Sequence, residues 1–192
     1  MYIKDLKKLN KEELRGKIIC FPTDTVYGVG CLIDDEEALQ KIYNLKHRDL
    51  SKPLAVLVPS KDSINELVKN SNSQVNEWLD KYWPGALTII FNKADKVSDN
   101  LTKGLSTIGL RMPNSNIALE VLKKFGPLAT TSVNLSNTPP LNDLELIKFH
   151  FGDQIDYIIE DKEESSKISS TIVDATKEHP IILRQGDIKL FN

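Results

Sequence analysis

Apolar positions along this chain alternate between short continuous runs and helically spaced stretches. Residues 17–21 (KIICF) read as a strand that Pro22 ends. Residues 54–58 form an unbroken apolar run between two prolines, the pattern of a strand buried on both faces. Strands are also predicted at 86–91, 108–111 and 128–131. From a cap at Asp34 or Asp35 to Lys46, the spacing turns helical, with Leu39, Ile42, Tyr43 and Leu45 on one side. Residues 60–68, 73–82 and 144–151 read as helices, and so do 117–125, stopped by Gly126 and Pro127. Asn10 and Glu13 have the spacing of a capping box and predict a short helix before Gly16. Three strands, at 157–159, 171–174 and 181–183, follow with no helical pattern between them. Alternation followed by a run of strands predicts one α/β domain over residues 1–192. Its sheet should be mixed, parallel in part and antiparallel towards the end.

Composition narrows the class without naming a function. The 192 residues carry 25 Lys and Arg against 27 Asp and Glu, a formal net charge of −2. That balance argues against a disordered tail or a histone-like binder. The first 17 residues lack the apolar core of a signal peptide, and the apolar runs fall far short of the ~20 residues of a membrane span. A cytoplasmic protein is expected. Cys20 and Cys31 form no CxxC pair, and His47, His150 and His179 are scattered, so no zinc spacing exists. Two free, buried thiols are expected. The charged stretch 160–167 reads as a solvated loop. Within the basic count, 21 residues are Lys and four are Arg: Arg15, Arg48, Arg111 and Arg184.

Five stretches carry candidate chemistry. PTDTVYGVG, residues 22–30, packs hydroxyls and glycines after a strand, which suits either a ligand site or a hydroxyl-capped turn. It is neither a P-loop nor a complete GxGxxG fingerprint. KHRDLSKPL, residues 46–54, gathers Lys46, Arg48 and Lys52 where a helix ends. Cations there either complement the helix dipole or cradle a polyanion. Arg111 interrupts an apolar strand and so requires an internal carboxylate or a bound anion. TTSVN, residues 130–134, sets four hydrogen-bonding side chains just past a strand, as a sugar, phosphate or amino-acid site or as simple turn chemistry. SSTIVD and ILRQG, near residue 184, repeat the theme, with Gly186 expected to allow a sharp turn. No nucleophile–base pair is evident, so such a site would work by positioning and electrostatics.

Taken in order, PTDTVYG, the KxR of Lys46 and Arg48 with KPL, WPGALT, GLRMP, the SxN of Ser132 and Asn134, STIVD and LRQG resemble the threonylcarbamoyl-AMP synthase family, the YrdC-like domain. The resemblance runs from Pro22 to Gly186. It implies a twisted mixed sheet with flanking helices around a concave basic cavity. It implies synthesis of L-threonylcarbamoyladenylate and pyrophosphate from L-threonine, bicarbonate or CO2, and ATP accompanied by Mg2+. The product would feed N6-threonylcarbamoyladenosine formation in tRNA through a separate transferase complex. By the same resemblance, Lys46, Arg48 and Lys52 match the cations that hold ATP phosphates, with Ser132 and Asn134 at the nucleotide. Lys46, Arg48, Ser132 and Asn134 form the catalytic set. Thr107 and Arg184 match positions that also face the nucleotide. Thr25, Arg111, Thr130 and Ser170 match positions near L-threonine. Four residues depart from the family's habit: Asp49 after KxR where proline is common, Leu57 where some relatives carry histidine, Val133 for alanine, and Asn137 for glycine. Two other readings compete: a carbamoyl-transfer domain of the same fold, usually embedded in a larger zinc-binding chain, and an RNA-binding protein without catalysis.

Overall fold

The computed structural model describes residues 2–3, 6, 9–69, 71–160 and 164–190. Among these residues, ten strands make one open sheet: β1 (Tyr2–Ile3), β2 (Ile19–Phe21), β3 (Gly28–Leu32), β4 (Ala55–Leu57), β5 (Leu87–Asn92), β6 (Thr107–Arg111), β7 (Leu128–Ser132), β8 (Tyr157–Ile159), β9 (Thr171–Asp174) and β10 (Ile181–Arg184). Their order is β1-β8-β2-β3-β7-β4-β6-β5-β9-β10. The pairs β1–β8, β2–β8, β4–β6 and β5–β9 are parallel and the other five antiparallel. The expected mixed sheet is present, and its last pair, β9–β10, is antiparallel.

Among the described residues, five α-helices flank it: α1 (Glu36–Lys46), α2 (Ser73–Tyr82), α3 (Asp99–Thr102), α4 (Asn116–Phe125) and α5 (Leu144–Phe151). Asp35 caps α1 by accepting from the Ala38 amide at 3.0 Å, and Ser115 caps α4 through the Ala118 amide at 3.0 Å. Asn10 and Glu13 exchange the two bonds of a capping box, at 2.7 and 2.9 Å, over a single 3-10 turn. The helix expected at 60–68 is a 3-10 segment, Lys61–Glu66.

Alternation along the strands sorts two cores. Val29, Cys31, Val56, Ala129 and Ile89 pack towards α1, α2 and α5. Leu32, Leu57 and Leu128 pack on the other face, under α4. Cys20 and Cys31 are buried free thiols, as expected, and burial pushes both well above the ordinary thiol range. Beyond α4, that second face bears small and polar residues instead of an apolar layer, and the cavity opens there.

Two stretches gain detail in the structure. PTDTVYGVG holds the hydroxyl-capped turn, with Thr23 Oγ1 accepting from the Thr25 and Val26 amides at 3.2 and 3.3 Å, and its last three residues begin β3. Gly28 stands opposite Ser132 and Gly30 opposite Thr130 on β7. A Cβ on Gly30 would lie 2.7 Å from Thr130 Oγ1, and one on Gly28 2.9 Å from Thr130 Cγ2. These glycines therefore leave room for hydroxyl side chains on the neighbouring strand. Gly186 owes its lack of a side chain to a close approach. It passes so close to residues 169–171 that a Cβ would sit 2.2 Å from the Ser169 carbonyl oxygen.

Candidate active site

The floor of the cavity is built by register. Parallel pairing sets Leu57 beside Arg111, and antiparallel pairing sets Ala55 beside Thr130. A basin of about 230 Å³ lies over these strands, lined by Thr25, Arg111, Thr130 and Ser170 among others. All four residues that the family resemblance assigns to L-threonine therefore share one basin, and Arg184 joins them. A second basin of about 320 Å³ lies at the end of α1, lined by Lys46, His47, Lys52, Asn134 and neighbours. Arg48 and Ser132 line both. Together the basins reach the ~300–1,000 Å³ usual for small-molecule sites. Thr107 lines neither basin. It begins the strand that Arg111 ends.

Arg111 is buried and fully oriented. Its Nε donates to the Gly85 carbonyl at 2.9 Å, one terminal nitrogen to Thr25 Oγ1 at 2.8 Å, and the other to Asp24 Oδ1 at 2.5 Å. Of its five N–H donors, two remain for a ligand. The internal carboxylate and the bound anion, alternatives on sequence grounds, are thus compatible. Burial lowers the affinity of Arg111 for its proton, and Asp24 opposes that shift. Asp24 was missed as a site residue, although the need of an apolar-strand arginine for a carboxylate signalled that one must exist.

Hydroxyls connect the second arginine. Arg184 Nε donates to the Ser170 carbonyl at 2.9 Å and a terminal nitrogen to Ser170 Oγ at 3.1 Å. Ser170 Oγ also pairs with Thr88 Oγ1 at 2.8 Å. Thr88, from WPGALT, lines the basin and is buried. Burial first, then repulsion from Arg111, lowers the Arg184 pKa. Two guanidiniums close enough to repel each other favour an anionic occupant.

Lys46 is 2% exposed. Its ammonium donates to Ser132 O at 2.5 Å and to Asn134 O and Oδ1, both at 2.8 Å. Those bonds use its three donors, so in this arrangement it holds the SxN loop and offers no further proton to a phosphate. Burial, and secondarily Arg48, pull its pKa down to about 8. Asn134 Oδ1 also accepts from Ser132 Oγ at 2.7 Å, and Asn137 takes the left-handed backbone at φ 66° that its position requires. His47 is left-handed too and ends α1, so that Lys46, His47 and Arg48 gather at the negative end of the helix dipole. Arg48 donates to the Lys52 and Pro53 carbonyls at 3.1 and 3.0 Å.

The far half of the charged stretch is not free loop. The Ser166 amide donates to the Asp24 carbonyl and the Lys167 amide to the Thr25 carbonyl, each at 2.9 Å. Residues 161–163 lie outside the described residues. Among the described residues, no three His, Cys, Asp or Glu side chains cluster as a metal site. Asp49 alone supplies a carboxylate to the second basin. Its Oδ1 accepts from the Ser51 amide and hydroxyl at 2.9 and 2.8 Å. One carboxylate beside a phosphate chain is a fitting donor set for Mg2+, which is held largely by substrate phosphates and water.

A basin of hydroxyls and guanidiniums thus adjoins one of cations at a helix end, on the sheet of an α/β protein. The chain belongs to the Sua5/YciO/YrdC family, whose model, described as telomere recombination, matches residues 13–186. The threonylcarbamoyl-AMP synthase of Pyrococcus abyssi is 33% identical over 176 residues, which are 91% of this chain and 52% of that protein. This chain thus spans about half the length of that relative. The threonylcarbamoyl-AMP synthase of Vibrio campbellii is 32% identical over 188 residues, 96% of this chain and 100% of that protein. The crystal structure of P. abyssi Sua5 complexed with L-threonine superposes with a TM-score of 0.85 at 30% identity, covering 97% of this chain and 57% of that one.

Proposed function

We propose that this chain is a threonylcarbamoyl-AMP synthase. The observation that carries the reading is the pair of adjoining basins joined by Arg48 and Ser132. L-Threonine is placed in the first basin, with its carboxylate on the two free donors of Arg111 and its polar groups among Thr25, Thr130 and Ser170. The phosphates of ATP occupy the second basin, under Arg48 and Lys52, with the SxN loop fixed by Lys46. The threonine amine adds to CO2, forming a C–N bond and releasing a proton, to give a carbamate. A carbamate oxygen then attacks the α-phosphorus, an O–P bond forms, the α–β bridging bond breaks, and pyrophosphate leaves. The protein contributes orientation of two anions and neutralisation of the charge between them. Asp49 would hold the magnesium that accompanies ATP, an ion that supplies further neutralising charge when bound. The setting proposed is the cytoplasm, with tRNA reached through a separate transferase. No helix among the described residues is long and apolar enough to cross a membrane.

The test is pyrophosphate release from purified protein with ATP, bicarbonate and threonine. Threonine-dependent release is expected, and its absence from folded protein refutes the reading. Loss of nucleotide binding in Arg48→Ala separates this activity from RNA binding, which would instead show a steep salt slope indifferent to ATP.

A further inference from the structure

Among the described residues, four besides glycine have left-handed backbone: His47, Lys103, Asn137 and Lys167. His47 and Lys103 end helices, and Asn137 is of a type that tolerates the conformation. Lys167, at φ 60°, has neither reason. Its side chain is exposed, so no packing of that side chain compels it. A residue held against its steric cost points to a surrounding structure that needs it there. We propose that residues 166–170 are a positioning strap that sets Arg111 against Arg184 over the first basin, with Lys167 as its bend. The synthase reading enters only in the choice of threonine as a probe.

The strap reaches both arginines through their partners. At one end the Ser166 and Lys167 amides hold the Asp24 and Thr25 carbonyls, each at 2.9 Å. Asp24 and Thr25 are the residues whose side chains take the terminal nitrogens of Arg111. At the other end Ser170 binds Arg184 through its carbonyl and its hydroxyl. The two ends are not equally secure. Thr171, next after Ser170, enters β9 with its amide on the Ala86 carbonyl at 3.0 Å. Gly186 presses on Ser169 so closely that a Cβ would lie 2.2 Å from its carbonyl oxygen. The Asp24 end rests on two backbone hydrogen bonds made by exposed residues, and the chain bends at Lys167 between the ends. Strain at the bend therefore falls on the weaker end. Releasing the two amides would relax Lys167 and leave the backbone of Asp24 and Thr25 free to shift under Arg111. An anion in the basin acts the other way, because it removes the repulsion between Arg111 and Arg184. A closed strap and a filled basin thus favour each other.

The test compares wild type with Lys167→Val and Lys167→Asn in the full chain. Asparagine accepts left-handed backbone well, and a β-branched valine very poorly. Hydrogen exchange of the amides at 166 and 167 reports the strap, and NMR exchange of the Arg111 Nε proton reports the arginine. Calorimetric titration with threonine and with Mg-ATP reports the basins. In Lys167→Val both exchange rates should rise about tenfold and threonine affinity should fall about tenfold, the equilibrium equivalent of a left-handed penalty. Mg-ATP affinity and the unfolding midpoint should hold, because Arg184 sits at the secure end. In Lys167→Asn the two amides should exchange more slowly than in wild type, with threonine affinity equal or higher. Protected amides in Lys167→Val overturn the proposal, and so do released amides beside an Arg111 proton that exchanges as in wild type. An equal loss of threonine and Mg-ATP affinity with a lowered unfolding midpoint also overturns it, since that marks a segment serving the fold alone. If Lys167→Val does not fold, Lys167→Asn decides, and amides no slower than those of wild type overturn the proposal. If wild type binds no threonine while the Arg111 proton still follows the strap, the synthase reading fails and the positioning role stands.

Discussion

Substituting Gly30 by alanine tests how the strand register makes the site. The new Cβ would meet Thr130 Oγ1 at 2.7 Å and the Ala129 carbonyl oxygen at 3.2 Å. The first contact is closer than a carbon and an oxygen tolerate, and the second is with backbone of the paired strand, which has little freedom to retreat. Thr130 cannot rotate without breaking its hydroxyl bond to the Leu128 carbonyl, 3.0 Å long. Overpacking of this kind costs about 1–3 kcal/mol. For a chain of this length that lowers the unfolding midpoint by about 2–12 °C. Gly109 provides the control within the same sheet, since a Cβ there would lie 3.6 Å from Thr88 Cγ2 and 3.8 Å from Ile90 Cγ1, ordinary contacts. Gly109→Ala should stay within about 0.5 kcal/mol of wild type or gain, because alanine reduces the entropy of the unfolded chain. Urea unfolding of both variants gives the free energies, and threonine titration reports the pocket. The refuting result is Gly30→Ala with wild-type stability and wild-type threonine affinity. β3 would then have no need of glycine opposite Thr130.

Other perturbations read other parts of the site. Asp24→Ala leaves the Arg111 guanidinium buried without its carboxylate and should cost about 3–5 kcal/mol, measured by denaturant unfolding; a loss below 1 kcal/mol counts against the pairing. Thr88→Val removes the hydroxyl that meets Ser170 and should raise the threonine KM while the unfolding midpoint holds, whereas unchanged kinetics would show the relay to be idle. Lys46 should titrate with a midpoint near 8 when followed by NMR of its side-chain carbons, and an ordinary midpoint above 10 argues against its burial. Because the unfolded chain keeps that proton to about 10.5, Lys46 contributes stability that is absent below pH 8 and grows as pH rises from 8 towards 10.5. Arg15→Lys keeps an exposed bridge to Asp34 and should leave the unfolding midpoint unchanged, while Arg48→Lys, which replaces a fork donating to two carbonyls, should lower activity.

Long periodic stretches were legible because periodicity is a local property. α1, α4 and α5 fall where spacing and caps put them, and the apolar run before Pro59 is indeed a strand. What failed was short or set by distant partners. β3 was hidden because its glycines carry no strand propensity and its reason for existing lies on β7, a hundred residues away. The reason Gly186 must be glycine was hidden, because a close approach to residues 169–171 leaves no local trace. Within the site, Arg48, Arg111 and Arg184 stood out against a lysine-rich background, and all three line the cavity. Of the partners that orient Arg111, Thr25 was singled out but the other two were not, because Asp24 and the Gly85 carbonyl are ordinary in sequence and become specific only through the folded chain.

The sharing of Arg48 between the two basins has a thermodynamic consequence. An anion seated in either basin partly satisfies the same guanidinium, so occupancy of one must alter affinity for an anion in the other. Such coupling is reciprocal: on the proposed synthase reading, the factor by which threonine changes the dissociation constant of ATP equals the factor by which ATP changes that of threonine. On that reading, joining the two ligands into one adenylate would remove the conflict over Arg48, and the sign of the coupling, measured with unreactive analogues, tells whether the site gathers its substrates together or admits them in turn.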